Sequence, residues 1–121
     1  MKICVNRNKI YVSINDFQNN WIKIFSHEGK LIKDIRVSDN KHSDLFASEF
    51  DICSDIIYVF DYGDLIVKLF TSDGDFISSH SIYEFFNEDN LEIIGIKVTD
   101  NFLYIYNSPD QIIVCKLLHK T

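Results

Sequence analysis

The chain says the same thing twice. Residues 21–32 read WIKIFSHEGKLI and residues 66–77 read IVKLFTSDGDFI. Ile22-Lys23-Ile24-Phe25 matches Val67-Lys68-Leu69-Phe70, Ser26 matches Thr71, Glu28-Gly29 matches Asp73-Gly74, and Leu31-Ile32 matches Phe76-Ile77. A short acidic-glycine turn between two apolar runs predicts a hairpin, because glycine accepts the positive φ such a turn needs. Gly29 and Gly74 are therefore expected at the tips of equivalent hairpins. Upstream, KIYVS (9–13) recurs as IIYVF (56–60) and as FLYIY (102–106). Each copy follows a short apolar strand and a tight polar turn. Each precedes a second turn and a third strand, of which IIVCKLL (112–118) is the third copy.

The unit is thus four strands in about 46 residues, the period and content of a β-propeller blade. Runs such as IIYVF and LIVKLF are almost continuously apolar, as expected of strands covered on both faces; a sheet with one wet face alternates instead. Blade 1 is expected at about 2–37, blade 2 at about 48–82 and blade 3 at about 93–118, the last without its outer strand. The expected fold is a single all-β domain over 1–121: a propeller of four-stranded antiparallel blades, three per chain.

The run FDICSDIIYVFDYGDLIVKLFTSDGDFISSHSI (50–82) resembles an NHL-type propeller repeat. The resemblance rests on Tyr58-Val59-Phe60-Asp61 closing one strand and on Phe70 before Asp73-Gly74. The chain departs from that pattern where the family has Asn-Arg entering the third strand. Asp64-Leu65 and Asn20-Trp21 stand there instead, and a Pro-x-Gly before the first strand is missing. The resemblance implies the propeller architecture. It also brings in an enzymatic alternative, since some similar six-bladed propellers are metal-dependent lactonases or esterases. Their ligands gather around the central channel, where the first strands here would offer Asp51, Cys53, Lys97, Lys2 and Cys4, a poor set for a hard cation.

Composition narrows the function classes. A net charge of −6 with scattered lysines argues against nucleic acid as a partner. No run approaches the roughly 18 apolar residues of a membrane span. Cys4, Cys53 and Cys115 are an odd number at wide spacing and read as reduced core thiols, not a disulfide framework. With no leader-like N-terminus, these features point to an intracellular, cytoplasmic protein. Ile, Asn, Lys and Phe abound while Ala, Arg, Gly and Pro are scarce. That bias suggests an AT-rich genome of a parasite, protist or large DNA virus, in which last case the setting is host cytoplasm. His27, His42, His80 and His119 show no metal-ligand spacing, and four glycines form no phosphate loop. No catalytic residue, metal or cofactor is expected.

Three readings follow. The first is a non-enzymatic scaffold for protein interaction or assembly; the others are a channel-using hydrolase or small-ligand binder, and a degenerate remnant of a larger propeller. For the first, Phe17, Trp21, Phe46, Tyr62, Phe85 and Phe86 are the candidate partner-binding aromatics, since loops on a rigid scaffold commonly carry function. Ile113, Cys115 and Leu117 mark an exposed edge strand. Under three blades leave apolar faces open, so a homo-oligomer is expected. The simplest is a two-fold dimer closing a six-bladed ring. A protein or peptide partner is the other option.

Overall fold

A computed structural model gives the fold and describes residues 1–39, 48–61, 65–84 and 92–117. Among them are eleven strands in three antiparallel sheets and no α-helix. Sheet 1 is β1 (Lys2–Asn6), β2 (Lys9–Asn15), β3 (Asn19–Ser26) and β4 (Leu31–Asp39). Sheet 2 is β5 (Glu49–Cys53), β6 (Ile56–Asp61), β7 (Ile66–Thr71) and β8 (Phe76–Ser81), followed by a 3-10 turn at Ile82–Glu84. Sheet 3 is β9 (Ile93–Val98), β10 (Phe102–Asn107) and β11 (Gln111–Lys116). Every strand pairs with its sequence neighbour. The expected all-β partition into four, four and three strands is what the described residues adopt.

The repeated turns are built alike. Gly29 and Gly74 have φ of +89° and +95°, where a side chain is strained. In each turn the glycine N–H donates to the carbonyl three residues back, Ser26 or Thr71, at 2.9 Å. The hydroxyl of that same residue accepts the N–H of Lys30 or Asp75 at 3.1 Å. The two-residue turn from β5 to β6 places both Ser54 and Asp55 at positive φ, the geometry that matches strand twist in a tight hairpin.

Sheet 2 is the middle layer. All six residues of β6 are buried, and they divide by parity. Ile57 and Val59 join Tyr11, Ile22, Ile24, Ile35, Val37, Phe50 and Phe70 in a core against sheet 1. Ile56, Tyr58 and Phe60 join Val67, Leu69, Ile96, Val98, Leu103, Ile105, Cys115 and Leu117 in a core against sheet 3. A strand covered on both sides has no reason to alternate, which is why IIYVF is continuous. Along one margin the first strands β1, β5 and β9 lie next to one another.

Registers make the three sheets superposable in sequence. Tyr11 pairs with Cys4 and Ile24; Tyr58 with Asp51 and Leu69; Tyr104 with Lys97 and Val114. The side carrying this tyrosine is here called the forward face and the other the rear face. Sheet 1 turns its forward face to the rear face of sheet 2, and sheet 2 does the same to sheet 3.

Candidate functional site

Among the described residues, two faces remain open at the ends of this stack. The rear face of sheet 1 carries Ile3, Val5, Ile10, Val12, Ile14, Trp21, Lys23 and Phe25, of which Ile3 and Val5 are exposed and the others half-buried. Its register counterparts on the rear of sheet 2 include Phe50, Ile52, Ile57, Val59, Lys68 and Phe70, which sit against sheet 1. The forward face of sheet 3 carries Phe102, Tyr104, Tyr106, Ile112 and Val114. Their counterparts Ile56, Tyr58, Phe60, Val67 and Leu69 are core residues against sheet 3. Both open faces therefore have the chemistry of faces that the same chain buries elsewhere.

Polar clamps repeat across the two closed junctions. Asp55, in the β5–β6 turn, accepts from Asn6 Nδ2 at 3.2 Å and Arg7 Nε at 2.9 Å. Asp100, in the β9–β10 turn, accepts from Ser54 Oγ at 3.1 Å and Cys53 Sγ at 3.3 Å. Each turn thus grips the matching turn of the preceding sheet. Tyr11 donates its phenol to the Ser72 carbonyl at 2.8 Å, in the hairpin of the following sheet. Burial pushes the Tyr11 and Tyr58 hydroxyls above the ordinary tyrosine pKa. Buried Asp51 accepts the Val98 N–H at 2.8 Å and lies 3.3 Å from Lys97 Nζ, joining β5 to β9. Asp61, also buried, is 3.4 Å from Lys68 Nζ, which reaches on to the Val37 carbonyl of sheet 1.

Of the six candidate aromatics, Phe46, Tyr62, Phe85 and Phe86 lie outside the described residues. Phe17 and Trp21 belong to one loop-strand unit. Phe17, at φ +72° and 77% exposed, tips the turn from β2 to β3. Asp16 holds that turn: its carboxylate accepts the N–H of Gln18 at 3.0 Å, of Asn19 at 2.7 Å and the Trp21 indole N–H at 2.9 Å. These donors, the backbone N–H of Asn19 first, keep the Asp16 pKa below the usual carboxylate value. Trp21 is not a loop residue. It lies on β3, half-buried on the open rear face, with Lys23 Nζ 5.6 Å from its ring.

Among the described residues β11 is an edge of sheet 3, and its side chains alternate between core and solvent. Cys115 (6% exposed) and Leu117 point into the core and Ile113 packs against it, while Ile112 (59%) and Val114 (56%) face outward. Register explains the alternation: Cys115 pairs with buried Leu103, so the odd-numbered residues share its inward side. A cleft of about 500 Å³ lies between β11 and sheet 2, lined by Tyr58, Val67, Leu69, His80 and Leu103 among others.

Asp51 was named only as a channel-lining residue of a first strand, and Asp55 and Asp100 were not singled out by the residue patterns, although both follow a first strand at nearly the repeat spacing. All three thiols are free, and burial holds each above its ordinary pKa. Among the described residues, no three His, Cys, Asp or Glu side chains gather to hold a metal, and no helix is long and apolar enough to cross a membrane. No protein-family model matches the chain, and no curated protein matches it.

Proposed function

We propose that this chain is an assembly module: three blades of a β-propeller that closes into a ring with a second copy of itself. The observation that carries the reading is the direction of the stack. Forward meets rear at both closed junctions, and what is left over is one rear face and one forward face. The forward face of sheet 3 in one copy is built to meet the rear face of sheet 1 in the next, and a two-fold pair makes that junction twice. Six blades fall within the four to eight of typical propellers, and two-fold pairs are the commonest homo-oligomers.

The internal junctions supply the details. Tyr104, in the place of Tyr11, would donate its phenol to the partner's His27 carbonyl, which stands where Ser72 stands in sheet 2. Phe102, Ile112 and Val114 would pack on Ile10, Val12 and Phe25 of the second copy. An interface made of two half-cores is apolar and obligate. Light scattering after size exclusion should report about twice the chain mass, unchanged on dilution to low micromolar. A folded monomer at that dilution would refute ring closure.

A further inference from the structure

We infer that the outer edge of β11 is a docking site for one extended peptide strand of a partner protein, anchored by a large apolar side chain. Sheets 1 and 2 each hold a fourth strand, β4 or β8, beyond the strand equivalent to β11. Among the described residues nothing pairs with β11 on that side. The free groups can be named. The Leu117 N–H donates back toward β10, to the Asn101 carbonyl. Successive residues of a strand direct their backbone groups to opposite sides, so Lys116, Val114 and Ile112 present N–H and C=O to the free edge. The equivalent Thr71 N–H points the same way and donates into the β7–β8 turn.

The repeat also indicates what such a strand carries. Phe25 pairs with Leu31 in sheet 1, and Phe70 pairs with Phe76 in sheet 2, the two rings 5.7 Å apart. Register places Cys115 where Phe25 and Phe70 stand. A thiol there replaces a phenyl ring, and the cleft of about 500 Å³ opens beside it, between β11 and the forward face of sheet 2. Leu31 and Phe76 are 52% and 61% exposed opposite Phe25 and Phe70; opposite the smaller Cys115, a leucine or phenylalanine has the cleft to enter, beside the position that the buried Phe70 ring holds in sheet 2. The cleft walls are Val67, Leu69, Leu103 and Leu117, with Glu84 and Lys116 at the rim. A single strand fits this geometry, since in both complete sheets the fourth strand is the last one. Strand addition of this kind takes affinity from main-chain hydrogen bonds and specificity from alternate side chains. Ring closure would use the forward-facing side chains of Ile112 and Val114, whereas docking uses backbone groups in the plane of sheet 3 at its outer edge, across the sheet from the margin where β9 meets β5.

The probe is a synthetic peptide of the β4 sequence, LIKDIRVSD, titrated into the isotope-labelled full chain and followed by NMR. Saturable binding should slow hydrogen exchange at the Ile112, Val114 and Lys116 amides. The same peptide with Leu31→Ser should bind at least about tenfold more weakly, the loss expected for a buried apolar anchor. In the protein, Lys116→Pro deletes an edge N–H that β10 does not use, at a strand-edge position where proline is tolerated and outside the contacts named for the ring; it should abolish binding with the circular dichroism unchanged. If that variant does not fold, the pair of peptides decides alone. No saturable binding at millimolar peptide, or equal binding of the two peptides, overturns the inference. So does concentration-dependent protection of those three amides in the free chain, which would assign the edge to a second copy.

Discussion

Gly29 and Gly74 share a backbone conformation but not an environment. A Cβ at Gly29 would meet nothing within 4 Å, whereas at Gly74 it would come within 2.9 Å of Lys33 Cδ and 3.2 Å of Ile35 Cγ1. Gly29→Ala should therefore cost only the left-handed strain, about 1 kcal/mol. Gly74→Ala should cost about 2 kcal/mol, because sheet 1 must also give way; urea denaturation of the two variants tests the order. Asp16 gives a second residue-scale expectation. Its folded pKa is depressed, so its stabilisation is complete above the ordinary aspartate value of about 3.9 and is lost as pH falls through the lower folded value. Trp21 is the one tryptophan, so its emission should stay constant down to about pH 4, shift below it, and lose that step in Asp16→Ala. The role of the turn glycines could be read in the sequence because it needs only local backbone. The roles of Asp55 and Asp100 could not, since an aspartate in a turn is unremarked until the turn of another sheet comes within hydrogen-bond reach.

Among the elements, β6 was the easiest to place and β11 the hardest. Six consecutive buried residues are announced by six apolar-rich letters, and two cores require them. The same continuity in IIVCKLL conceals which half of the residues turns inward; only pairing of Cys115 with Leu103 decides it. The gathering of first strands was expected, but the bond that joins β5 to β9 was not, since it rests on Asp51 meeting a backbone N–H of another sheet. Asp51→Ala leaves the Val98 N–H without its acceptor at a buried site and should destabilise the chain by about 2 kcal/mol. Asp51→Asn, which keeps an acceptor oxygen, should cost less. Both are measured by the denaturation midpoint, with the denaturant slope unchanged if the folded and unfolded states keep their compactness.

For the whole molecule, the proposed ring makes the two end faces separately testable. Ile112→Lys sets a charge in the forward face of sheet 3, at a site exposed in the single chain. It should split the pair into folded monomers, with the melting temperature becoming independent of protein concentration. Tyr104→Phe, which removes one phenol from each junction, should weaken association by about tenfold without abolishing it. The direction of the stack has one more consequence. A contact with a forward and a rear side is polar, so nothing in its chemistry limits how many copies join. Only geometry stops growth: about 60° per blade returns the sixth sheet to the first, whereas any axial rise between copies turns the circle into a screw. In the proposed ring, the number of subunits would be set by how β1, β5 and β9 are angled against one another. A substitution along that margin that leaves every junction as tight as before could still convert a closed pair into a filament.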